Sequence, residues 1–494
     1  MIFEQNIVKI NEGDNVAVAT ESITAGDVVF GVKSTDTIPA GHKIALCDFG
    51  VGDDVVKYGF SIGKATKTIP KGGHVHTHNI KTNLSGLGEY AYNPVSFAQK
   101  PPRDTTFMGF DRGDGKVGIR NEVWIIPTVG CVNKTAERLA ASMERCEGID
   151  GVYAYAHPYG CSQLGEDHSY TEKILAGLVN HPNAAGVLVL GLGCENNLIE
   201  TFKETIGEYD PRRVKFLNTQ DVSDELEEGR KLLNDIFSYA SAFRRKPIPI
   251  GKLIIGLKCG GSDGLSGITA NTLVGCLTDV LISSGGTCIL TEVPEMFGAE
   301  TLLMDRAVDE VVFRKTVELI NDFKAYFIRH KQVIYENPSP GNKEGGISTL
   351  EDKSLGCTQK GGVSPVVDVL DYGGRVVKPG LNLLQGPGND IVAVTNLTAA
   401  GAHIVLFTTG RGTPLGAPVP TVKISSNTNL AAGKPHWIDF DAGVLVDGKV
   451  GVGMEELTDK FLEFILSVAE GKTLAKNEIH GYREISIFRD GVTL

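Results

Sequence analysis

Glycine turns followed by short apolar runs recur through roughly the first ninety residues. The pattern is seen in ITAGDVV from Ile23, IPAGHKI from Ile38, GVGDDVV from Gly50 and IPKGGHV from Ile69. Turns spaced this closely leave room only for short strands, because a helix needs a longer apolar periodicity. The pattern predicts a small strand-rich domain over residues 1–95, with GGHVHTHN at residues 72–79 as its last strand.

A segment rich in proline and polar residues, NPVSFAQKPPRDTTF, starts at Asn93 and predicts a linker over residues 96–107. Beyond it, apolar runs alternate with helical segments, which is typical of α/β domains with largely parallel sheets. We predict a first, Rossmann-like α/β domain over residues 108–248 and a second α/β domain over residues 249–494.

Apolar runs mark the predicted strands of both α/β domains. In the first domain they are VWIIPTV from Val123, VYAYAH from Val152, GVLVLGL from Gly186 and VKFLN from Val214, with helices near 132–146, 169–180, 195–207 and 222–243. In the second they are KLIIGLKC from Lys252, TCILTEV from Thr287, HIVLFTT from His403 and VKISSN from Val422, with a long helix near 301–330. The glycine-rich span 337–362 has no predicted element, and irregular spans of that length are usually functional.

The composition is that of an ordinary globular protein. The chain has 494 residues, of which 41% are hydrophobic and 22% are charged, and its formal net charge is −12. An acidic chain without a basic patch disfavours nucleic acid or an anionic membrane as the main partner. It has no leader pattern at its start and no uninterrupted apolar window of about eighteen residues, so we expect a cytoplasmic enzyme. Nine scattered cysteines predict reduced thiols rather than a disulfide framework.

The GGHVHTHN segment places three histidines, His74, His76 and His78, at alternate positions. In an extended strand they share one face, as a metal site or a proton-transfer site requires. Neighbours on that face lie about 7 Å apart and rarely all reach one ion, so partners are expected from elsewhere in the chain.

Four β-prone runs are each followed by a cysteine: Cys131, Cys161, Cys194 and Cys259. The carboxyl ends of parallel strands line the crevice where ligands bind, so these thiols are candidates for a common site. The alternative is that a small, buried cysteine simply suits a strand end. Histidine and cysteine together favour iron, zinc or manganese over magnesium, and leave a single ion and an iron–sulfur cluster both open.

Acid–base groups crowd the same turns. HPYGCSQLGEDH holds His157, Glu166, Asp167 and His168 beside Cys161, and TEVPEMFGAE holds Glu292, Glu295 and Glu300 just after a strand. GLGCENN places Glu195 at a helix start, where the helix dipole favours an anion. For Asp167 and Glu195 a helix-capping role is the alternative. Of the three glutamates after the strand, we expect one in the site and the others in structural roles.

Glycine-rich turns before helices occur in KCGGSDGLSG from Lys258 and QGPGNDI from Gln385. Such turns leave backbone N–H groups free to bind a carboxylate or a phosphate. Neither turn fits the P-loop or the dinucleotide fingerprint, so nucleotide binding is disfavoured. Arg411 in TTGRGTP is a candidate for bidentate binding of a substrate carboxylate. The alternative is that it only stabilises its own loop.

Long, ordered motifs also relate the chain to a known family. They are GFDRGDGKVGIRNEVWIIPTVGCVN, HPYGCSQLGEDH, GLGCENN, KCGGSDGLSGITAN, TEVPEMFGAE, NPSPGNKEGGISTLEDKSLGCTQK, TGRGTP, PTVKISSN and HWIDFDAG. Together they resemble the altronate and galactarate dehydratase family, from the N-terminal module to the final GVTL. The first domain resembles the β-clip (SAF) module of these proteins, and related two-subunit sulfolactate sulfo-lyases separate that module from the large part.

The resemblance implies a hydro-lyase that converts D-altronate into 2-dehydro-3-deoxy-D-gluconate and water with Fe2+ or Mn2+ as cofactor. It implies a small sugar-acid substrate and a homo-oligomer such as a dimer, with no nucleic acid or membrane partner. The alternatives are a galactarate dehydratase, a sulfolactate-type sulfo-lyase, an iron–sulfur dehydratase and a sugar-acid binding protein without turnover. The length and the continuous motif match favour altronate.

Roles follow from the chemistry of dehydrating a 2,3-dihydroxy acid, which needs a base for the C2 proton and an acid for the departing 3-hydroxyl. For the metal site we predict His74 and His76 with Cys161 or Cys194 as partners. For proton transfer we predict Lys258, as a base whose pKa is lowered by desolvation, and His78, Glu195 and Glu292. For the substrate carboxylate we predict Arg411 with Gly388 and Asn389.

Overall fold

The computed structural model describes residues 2–4, 6–97, 100–144, 146–447 and 452–494. In these ranges small antiparallel sheets come first, and a four-stranded and a seven-stranded parallel sheet follow. This order confirms the predicted fold class, a β-rich module followed by α/β regions with parallel sheets.

In its described residues the N-terminal module has ten short strands. They are β1 (Ile2–Glu4), β2 (Ile7–Lys9), β3 (Val16–Ala19), β4 (Val28–Val29), β5 (Val32–Lys33), β6 (Lys43–Ala45), β7 (Asp54–Lys57), β8 (Phe60–Ala65), β9 (His74–Val75) and β10 (Ile80–Lys81). One sheet has the order β1-β2-β3-β6-β9 and another the order β10-β8-β7. Apolar side chains including Val16, Val55 and Ile62 fill the space between strands and extend to Leu355 of the last domain. The module therefore shares its core with the rest of the chain.

The histidine segment is a short strand followed by a turn, which corrects the prediction of one extended strand. Only His74 and Val75 pair with β6, and the chain then turns so that Asn79 N donates to His76 O at 3.0 Å. The Asn79 side chain causes this, because its Oδ1 accepts from His76 N and its Nδ2 donates to His74 O. The turn after β9, rather than the alternation of side chains along a strand, brings the imidazoles of this segment together.

The first α/β domain is built around a four-stranded parallel sheet of order β14-β13-β15-β16. Its elements are β11 (Thr106–Asp111), β12 (Val117–Gly118), β13 (Glu122–Pro127), α1 (Asn133–Ser142), β14 (Gly151–Ala154), α2 (Gly165–Val179), β15 (Ala184–Gly191), α3 (Ile199–Ile206), β16 (Val214–Asn218), α4 (Glu225–Ala240) and β17 (Arg245–Pro249). All residues of β13 and β15 are buried, as expected for strands with helices on both faces. The four predicted strands and four helices of this domain are present, and β11 begins inside the predicted linker.

The second α/β domain is built around a seven-stranded parallel sheet of order β20-β21-β19-β18-β22-β23-β24. Its elements are β18 (Ile254–Cys259), α5 (Ala270–Ser283), β19 (Thr287–Leu290), α6 (Glu300–Met304), α7 (Glu310–Arg329), α8 (Pro340–Glu344), α9 (Leu350–Cys357), β20 (Val366–Leu370), β21 (Gly380–Leu384), α10 (Asp390–Ala399), β22 (Ile404–Thr409), β23 (Thr421–Ser425), α11 (Thr428–Gly433), β24 (Phe440–Asp441), α12 (Met454–Ala469) and α13 (Lys476–His480). The predicted helix near 301–330 is two helices, because Asp309 caps α7 by accepting from Val312 N. The span 337–362 is helical, with Ser339 capping α8 and Thr349 capping α9.

The N-terminal module docks onto α8 and α9 through buried polar contacts. Lys43 and Lys57 each bind a different oxygen of Asp352, at 2.8 and 2.9 Å, and all three side chains are buried. Thr82 Oγ1 donates to Glu351 at the start of α9. The docked module brings its histidines next to α8.

Candidate active site

A buried lysine and two carboxylates meet where β18 and β19 end. Lys258 lies on β18, and its Nζ bonds Glu292 Oε1 and lies 2.8 Å from Asp390 Oδ1. Glu292 also accepts from Cys259 N at 2.9 Å, and its backbone is left-handed, with φ of 71°. Asp390 is the first residue of α10. The three side chains therefore come from β18, from the turn after β19 and from the start of α10, and they meet at the carboxyl edge of the parallel sheet, where α/β proteins bind ligands.

Burial and neighbouring charges set the protonation of this pair. Burial alone lowers the pKa of Lys258, but the charges of Glu292 and Asp390 outweigh it and raise that pKa above its ordinary value. The predicted lowering of the Lys258 pKa was wrong, because the desolvated ammonium has two carboxylate partners. Burial, with help from the charge of Glu295, raises the pKa of Glu292 well above its usual range. A carboxyl group with a raised pKa is suited to proton transfer near neutral pH.

Two thiols and a carboxylate lie directly beside this pair. The Sγ atoms of Cys259 and Cys357 are 3.3 Å apart, and they lie 2.9 and 3.2 Å from Glu295 Oε2. The hydrogen bond with Cys357 lowers the pKa of Cys259 to about 6 although burial raises it, and Lys360 Nζ donates to Cys259 Sγ at 2.9 Å. Lys353 Nζ lies 2.7 Å from Glu295 Oε1. Two lysines thus already neutralise the negative charge of this group.

A cavity of about 760 Å³ opens over these groups. Its wall includes Cys259, Glu295, Lys353, Gly388 and Asp390. Ligand pockets of small molecules commonly measure about 300–1,000 Å³, so the volume suits a six-carbon acid. Glu295, Lys353 and Asp390 therefore face the cavity directly, whereas Lys258 and Glu292 lie behind its wall, bonded to Asp390 and Cys259.

Three imidazoles form a second group, which lies in the N-terminal module. His42 Nδ1 and His74 Nε2 are 3.0 Å apart, and the ring of His76 lies 4.7 Å from that of His42. One nitrogen from each of the three lies within 4.8 Å of the others. His76 Nδ1 is buried and has no hydrogen-bond partner among the described residues. An unpartnered buried nitrogen in such a group is suited to ligating a metal ion.

The three imidazoles are neutral near pH 7. Burial lowers the pKa of His74 to about 4 and that of His76 to about 3, and the other imidazoles and Lys43 lower both further. Burial also lowers the pKa of His42. Neutral imidazoles suit iron and manganese, and no lysine or arginine is bonded to these rings in the described part of the chain. We therefore consider this group a better metal site than the lysine-bonded thiols.

Helix α8 connects the histidines with the cavity. Its Asn342 and Lys343 line the cavity, and the carbonyl of Glu344 lies 3.1 Å from His42 Nε2. Arg411 also bonds this helix, because its Nη1 lies 2.9 Å from Glu344 Oε2 and 3.3 Å from Gly341 O. The histidine group therefore lies against the helix that forms one wall of the cavity.

The structure places the predicted substrate residues around α8 and α10. Gly388 lines the cavity, whereas the Asn389 side chain caps α10 by accepting from Val392 N at 3.3 Å. Arg411 is half-exposed and pairs with Glu344, so it needs to release that carboxylate before it can bind another. The substrate role of these three residues stays a prediction, and the geometry favours the backbone of Gly388 over the Asn389 side chain.

Glu195 lies at the edge of the other parallel sheet. It accepts from Thr128 Oγ1 at 2.5 Å and from the backbone N–H groups of Leu192, Gly193 and Cys194. Burial raises its pKa, but these hydrogen bonds outweigh burial and the net pKa is lowered. The contacts describe a carboxylate that holds its own loop together, and they favour Glu292 over Glu195 as the acid.

The predicted thiol partners do not lie in the histidine group. Cys161 and Cys194 are exposed on loops of the first parallel sheet, together with Cys131, while Cys259 is buried at the second sheet. The four strand-end cysteines are thus divided between two sheets. His78 is exposed next to the His74 ring, at 5.2 Å between centroids.

The remaining acid–base candidates have structural contacts. His157 accepts from Tyr159 N through Nδ1, and its Nε2 contacts Pro127 O. Asp167 accepts from the backbone of residues 490 and 491. Glu300 pairs with Lys324, and His168 lies 3.7 Å from Glu172. These contacts tie helices and loops together, and they leave Glu292 and Glu295 as the glutamates of the site.

Sequence reasoning missed His42, Cys357, Lys360 and Asp390. His42 had a signal, because IPAGHKI repeats IPKGGHV and each copy carries a histidine just after its glycine turn, His42 in the first and His74 in the second. In the structure these two repeats pair as neighbouring strands, with Ile44 opposite His74. Cys357 and Lys360 lie in the span without a predicted element, so no strand end indicated them.

Comparisons with known proteins cover nearly the whole chain. Residues 5–83 match the altronate/galactarate dehydratase SAF domain, residues 109–241 the second domain of D-galactarate dehydratase/altronate hydrolase, and residues 250–493 the C-terminal domain of D-galactarate/altronate dehydratase. Altronate dehydratases of Bacillus subtilis strain 168 and Escherichia coli strain K12 are each 53% identical, covering 99% of this chain and 100% and 99% of theirs. The galactarate dehydratase (L-threo-forming) of Escherichia coli is 32% identical, over 97% of this chain and 96% of its own. None of the helices in the described ranges is long and apolar enough to cross a membrane.

Proposed function

The chain belongs to the D-galactarate/altronate dehydratase family, and we propose on that premise that it dehydrates D-altronate to 2-dehydro-3-deoxy-D-gluconate. The observation that carries the proposal is the buried Lys258–Glu292 pair, which is bonded to Asp390 and Cys259 in the wall of a cavity of about 760 Å³. Altronate is favoured over galactarate because the altronate dehydratases share 53% identity with this chain and the galactarate dehydratase shares 32%.

Glu292 is our candidate for the group that takes the C2 proton of the substrate. Its raised pKa makes it a stronger base than an ordinary carboxylate, and its carboxyl group accepts from the backbone N–H of Cys259, which lines the cavity. The bond from C2 to hydrogen breaks and its electron pair enters a C2–C3 double bond as the 3-hydroxyl leaves. The proton for the departing hydroxyl comes from the Lys258–Glu292 pair, and the resulting enol then ketonises.

Lys258 is assigned to charge stabilisation rather than to proton abstraction. Its raised pKa keeps it an ammonium near pH 7, so it cannot serve as the base. Negative charge develops on the substrate as the C2 proton leaves, and a preorganised buried cation stabilises that charge strongly. Because its Nζ bonds both Glu292 and Asp390, the ammonium is already held in place before substrate arrives.

His42, His74 and His76 are the residues that would hold the divalent metal. Iron or manganese, the ions that the family resemblance implies, would polarise a substrate oxygen and stabilise developing negative charge. The support is the convergence of three neutral imidazoles, one with an unpartnered nitrogen. We also propose a cytoplasmic location, supported by nine cysteines that are all free thiols.

A substrate panel tests the proposed function. Purified protein is given Fe2+ or Mn2+ under reducing conditions and assayed against altronate, other aldonates, galactarate and sulfolactate. We expect formation of a 2-keto-3-deoxy acid from altronate, at a rate far above that from galactarate. Faster turnover of galactarate, or release of sulfite from sulfolactate at a higher rate, would replace the proposed substrate, and absence of turnover with every compound would refute the enzyme assignment.

A further inference from the structure

Three exposed cysteines lie on adjacent loops at the carboxyl edge of the first parallel sheet. Cys131 follows β13 directly, Cys161 follows β14, and Cys194 follows β15. Strand β13 is the neighbour of both β14 and β15. Three consecutive βα turns therefore each deliver one thiol to the same edge of one sheet, and none of the three lines the cavity described above.

Backbone hydrogen bonds hold the three loops against one another. Gly130 N donates to Tyr159 O at 2.9 Å, which joins the Cys131 loop to the Cys161 loop. Asn197 N donates to Gly160 O at 3.0 Å, and Ser162 N donates to Asn196 Oδ1 at 2.7 Å. The residues on both sides of Cys161 are thus bonded to the loop of Cys194.

The loops also adopt backbone conformations that a close approach requires. Gly160 has φ of +97°, and a Cβ at this position would lie 1.9 Å from the carbonyl of Thr128. Gly193, which precedes Cys194, has φ of +121°, and Ser162, which follows Cys161, has φ of 58°. Uncommon backbone conformations are maintained where the surroundings demand them, often at ligand sites. Gly160, directly before Cys161, thus packs closely against Thr128, the residue that follows β13.

The three thiols are not gathered as closely as a single ion requires. Thiolates on a single tetrahedral ion at about 2.3 Å bring their sulfurs to about 3.8 Å from one another. In the described part of the chain, the groups with all ligand atoms within 4.8 Å do not include these thiols. Cys194 Sγ already accepts a hydrogen bond from Gln220 Nε2 at 3.5 Å, the kind of contact that tunes cluster sulfurs.

We propose that Cys131, Cys161 and Cys194 bind an iron–sulfur cluster at this edge, separate from the histidine group. Three protein thiolates on a four-iron cluster leave one iron without a protein ligand. The exposure of all three thiols gives iron and sulfide access to the loops. The inference does not depend on the proposed dehydration, since it concerns residues outside the Lys258–Glu292 cavity.

The test uses the full chain, purified without oxygen and reconstituted with ferrous iron and sulfide. We expect a broad absorbance near about 400 nm and about four iron and four acid-labile sulfide per chain. Alkylation with iodoacetamide, followed by mass spectrometry, should then modify exposed Cys47 but not the three cysteines, whereas all four react before reconstitution. Equal alkylation of all four thiols after reconstitution, or one bound zinc in place of iron and sulfide, would overturn the proposal.

Serine variants give an independent measurement. The triple variant Cys131→Ser, Cys161→Ser, Cys194→Ser should lose the absorbance and the bound sulfide, and the matched control Cys47→Ser should keep both. An unchanged absorbance in the triple variant would refute the site. Should the triple variant fail to fold, the alkylation pattern of the wild-type chain decides the question alone.

Discussion

Burial and neighbouring charges determine the pKa values of the Lys258–Glu292 pair. Both side chains are almost fully buried; burial and the charge of Glu295 raise the pKa of Glu292 against the pull of Lys258, and the charges of Glu292 and Asp390 raise the pKa of Lys258 against burial. An exposed glutamate of the same chain, Glu310 on α7, instead pairs with an exposed arginine one helical turn away. The surroundings, not the residue type, therefore identify Glu292 as the candidate base.

Replacing Glu292 tests that assignment. The Glu292→Gln variant keeps the size of the side chain but removes the proton acceptor, so we expect kcat to fall on the order of 10²–10⁴-fold. Exchange of the altronate C2 proton with solvent deuterium, followed by NMR, should fall with it. The control Glu310→Gln should keep wild-type exchange, and a Glu292→Gln protein with normal exchange would exclude Glu292 as the base.

Replacing His76 tests the metal group. The His76→Ala variant removes one of three imidazoles, and we expect bound iron and turnover to fall together, by about 10-fold or more. Iron is measured on the purified protein by elemental analysis. The exposed His436→Ala is the matched control and should keep its iron. Full iron content and full turnover in His76→Ala would show that this segment does not bind the metal ion.

Buried histidines outside the site make stability depend on pH. Burial lowers the pKa of His403 to about 4, and its Nδ1 accepts from Ile254 N at 3.1 Å. The unfolded chain binds a proton near pH 6.5 while the folded chain does not, so stability is complete above pH 6.5 and is lost as pH falls toward 4. The loss from His403 is about 3 kcal/mol. Urea unfolding measures the free energy of unfolding at pH 7 and at pH 4.5. Between these two pH values it should fall less for His403→Asn than for wild type. An equal fall in both proteins would contradict this prediction.

The candidate residues that can be predicted from the sequence are those whose signal is local. His74, His76, Lys258 and Glu292 each stand in a motif next to a turn or a strand end. Cys357 and Asp390 reach the site only because α9 and α10 pack beside β18, and no short stretch of sequence encodes that packing. The sign of the Lys258 pKa shift was mispredicted for the same reason, since its carboxylate partners come from distant parts of the chain.

Strand positions were predicted better than helix boundaries and short helices. All eight quoted apolar runs of the α/β domains contain a strand, because fully buried parallel strands are continuous apolar segments. Helices α8 and α9 were missed because glycines and polar residues interrupt their apolar periodicity, although Ser339 and Thr349 are recognisable caps. The turn after β9 was missed because alternating histidines also fit a strand.

The chain directly after α8 approaches the turn before β6 closely, and this approach depends on glycine. Gly346 has φ of +102°, and a Cβ there would lie 2.2 Å from Gly41 O. We expect Gly346→Ala to push α8 away from His42, to cost about 1–3 kcal/mol of stability and to weaken iron binding. Thermal unfolding and iron titration measure both effects. Gly433→Ala, where a Cβ meets nothing within 4 Å, is the control, and unchanged iron affinity in Gly346→Ala would show that this contact does not position the metal ligands.

Buried contacts, rather than the linker, fasten the N-terminal module to the large part. Lys43 and Lys57 share Asp352 in a fully buried triad, and Val16 and Val55 share a cluster with Leu355. Exposed ion pairs contribute little, but removing one member of a buried group leaves uncompensated charge. The module should therefore stay docked even when the peptide bond connection is broken.

Expressing the chain as two pieces tests this. Residues 1–97 and 100–494, produced together, should copurify and retain turnover of altronate. Asp352→Asn in the large piece leaves two buried lysines without their partner at a cost of about 3–5 kcal/mol, which weakens association more than a hundredfold. Sedimentation of the mixed pieces measures it. Separate migration of the unmodified pieces would contradict the docking seen in the structure.

The segment between β10 and β11 also affects how the N-terminal module and the large part assemble. Tyr90 and Tyr92 fix its first half on α6 and the chain after it, through Glu300 and the carbonyl of Ala307. A short tether of this kind keeps its two ends at an effective concentration in the millimolar range. One polypeptide therefore guarantees equal amounts of the histidine-bearing module and of the domain that holds the Lys258–Glu292 pair, and makes their assembly independent of dilution. A single proteolytic nick here would turn a unimolecular equilibrium into a bimolecular one, so that activity would begin to depend on how concentrated the protein is.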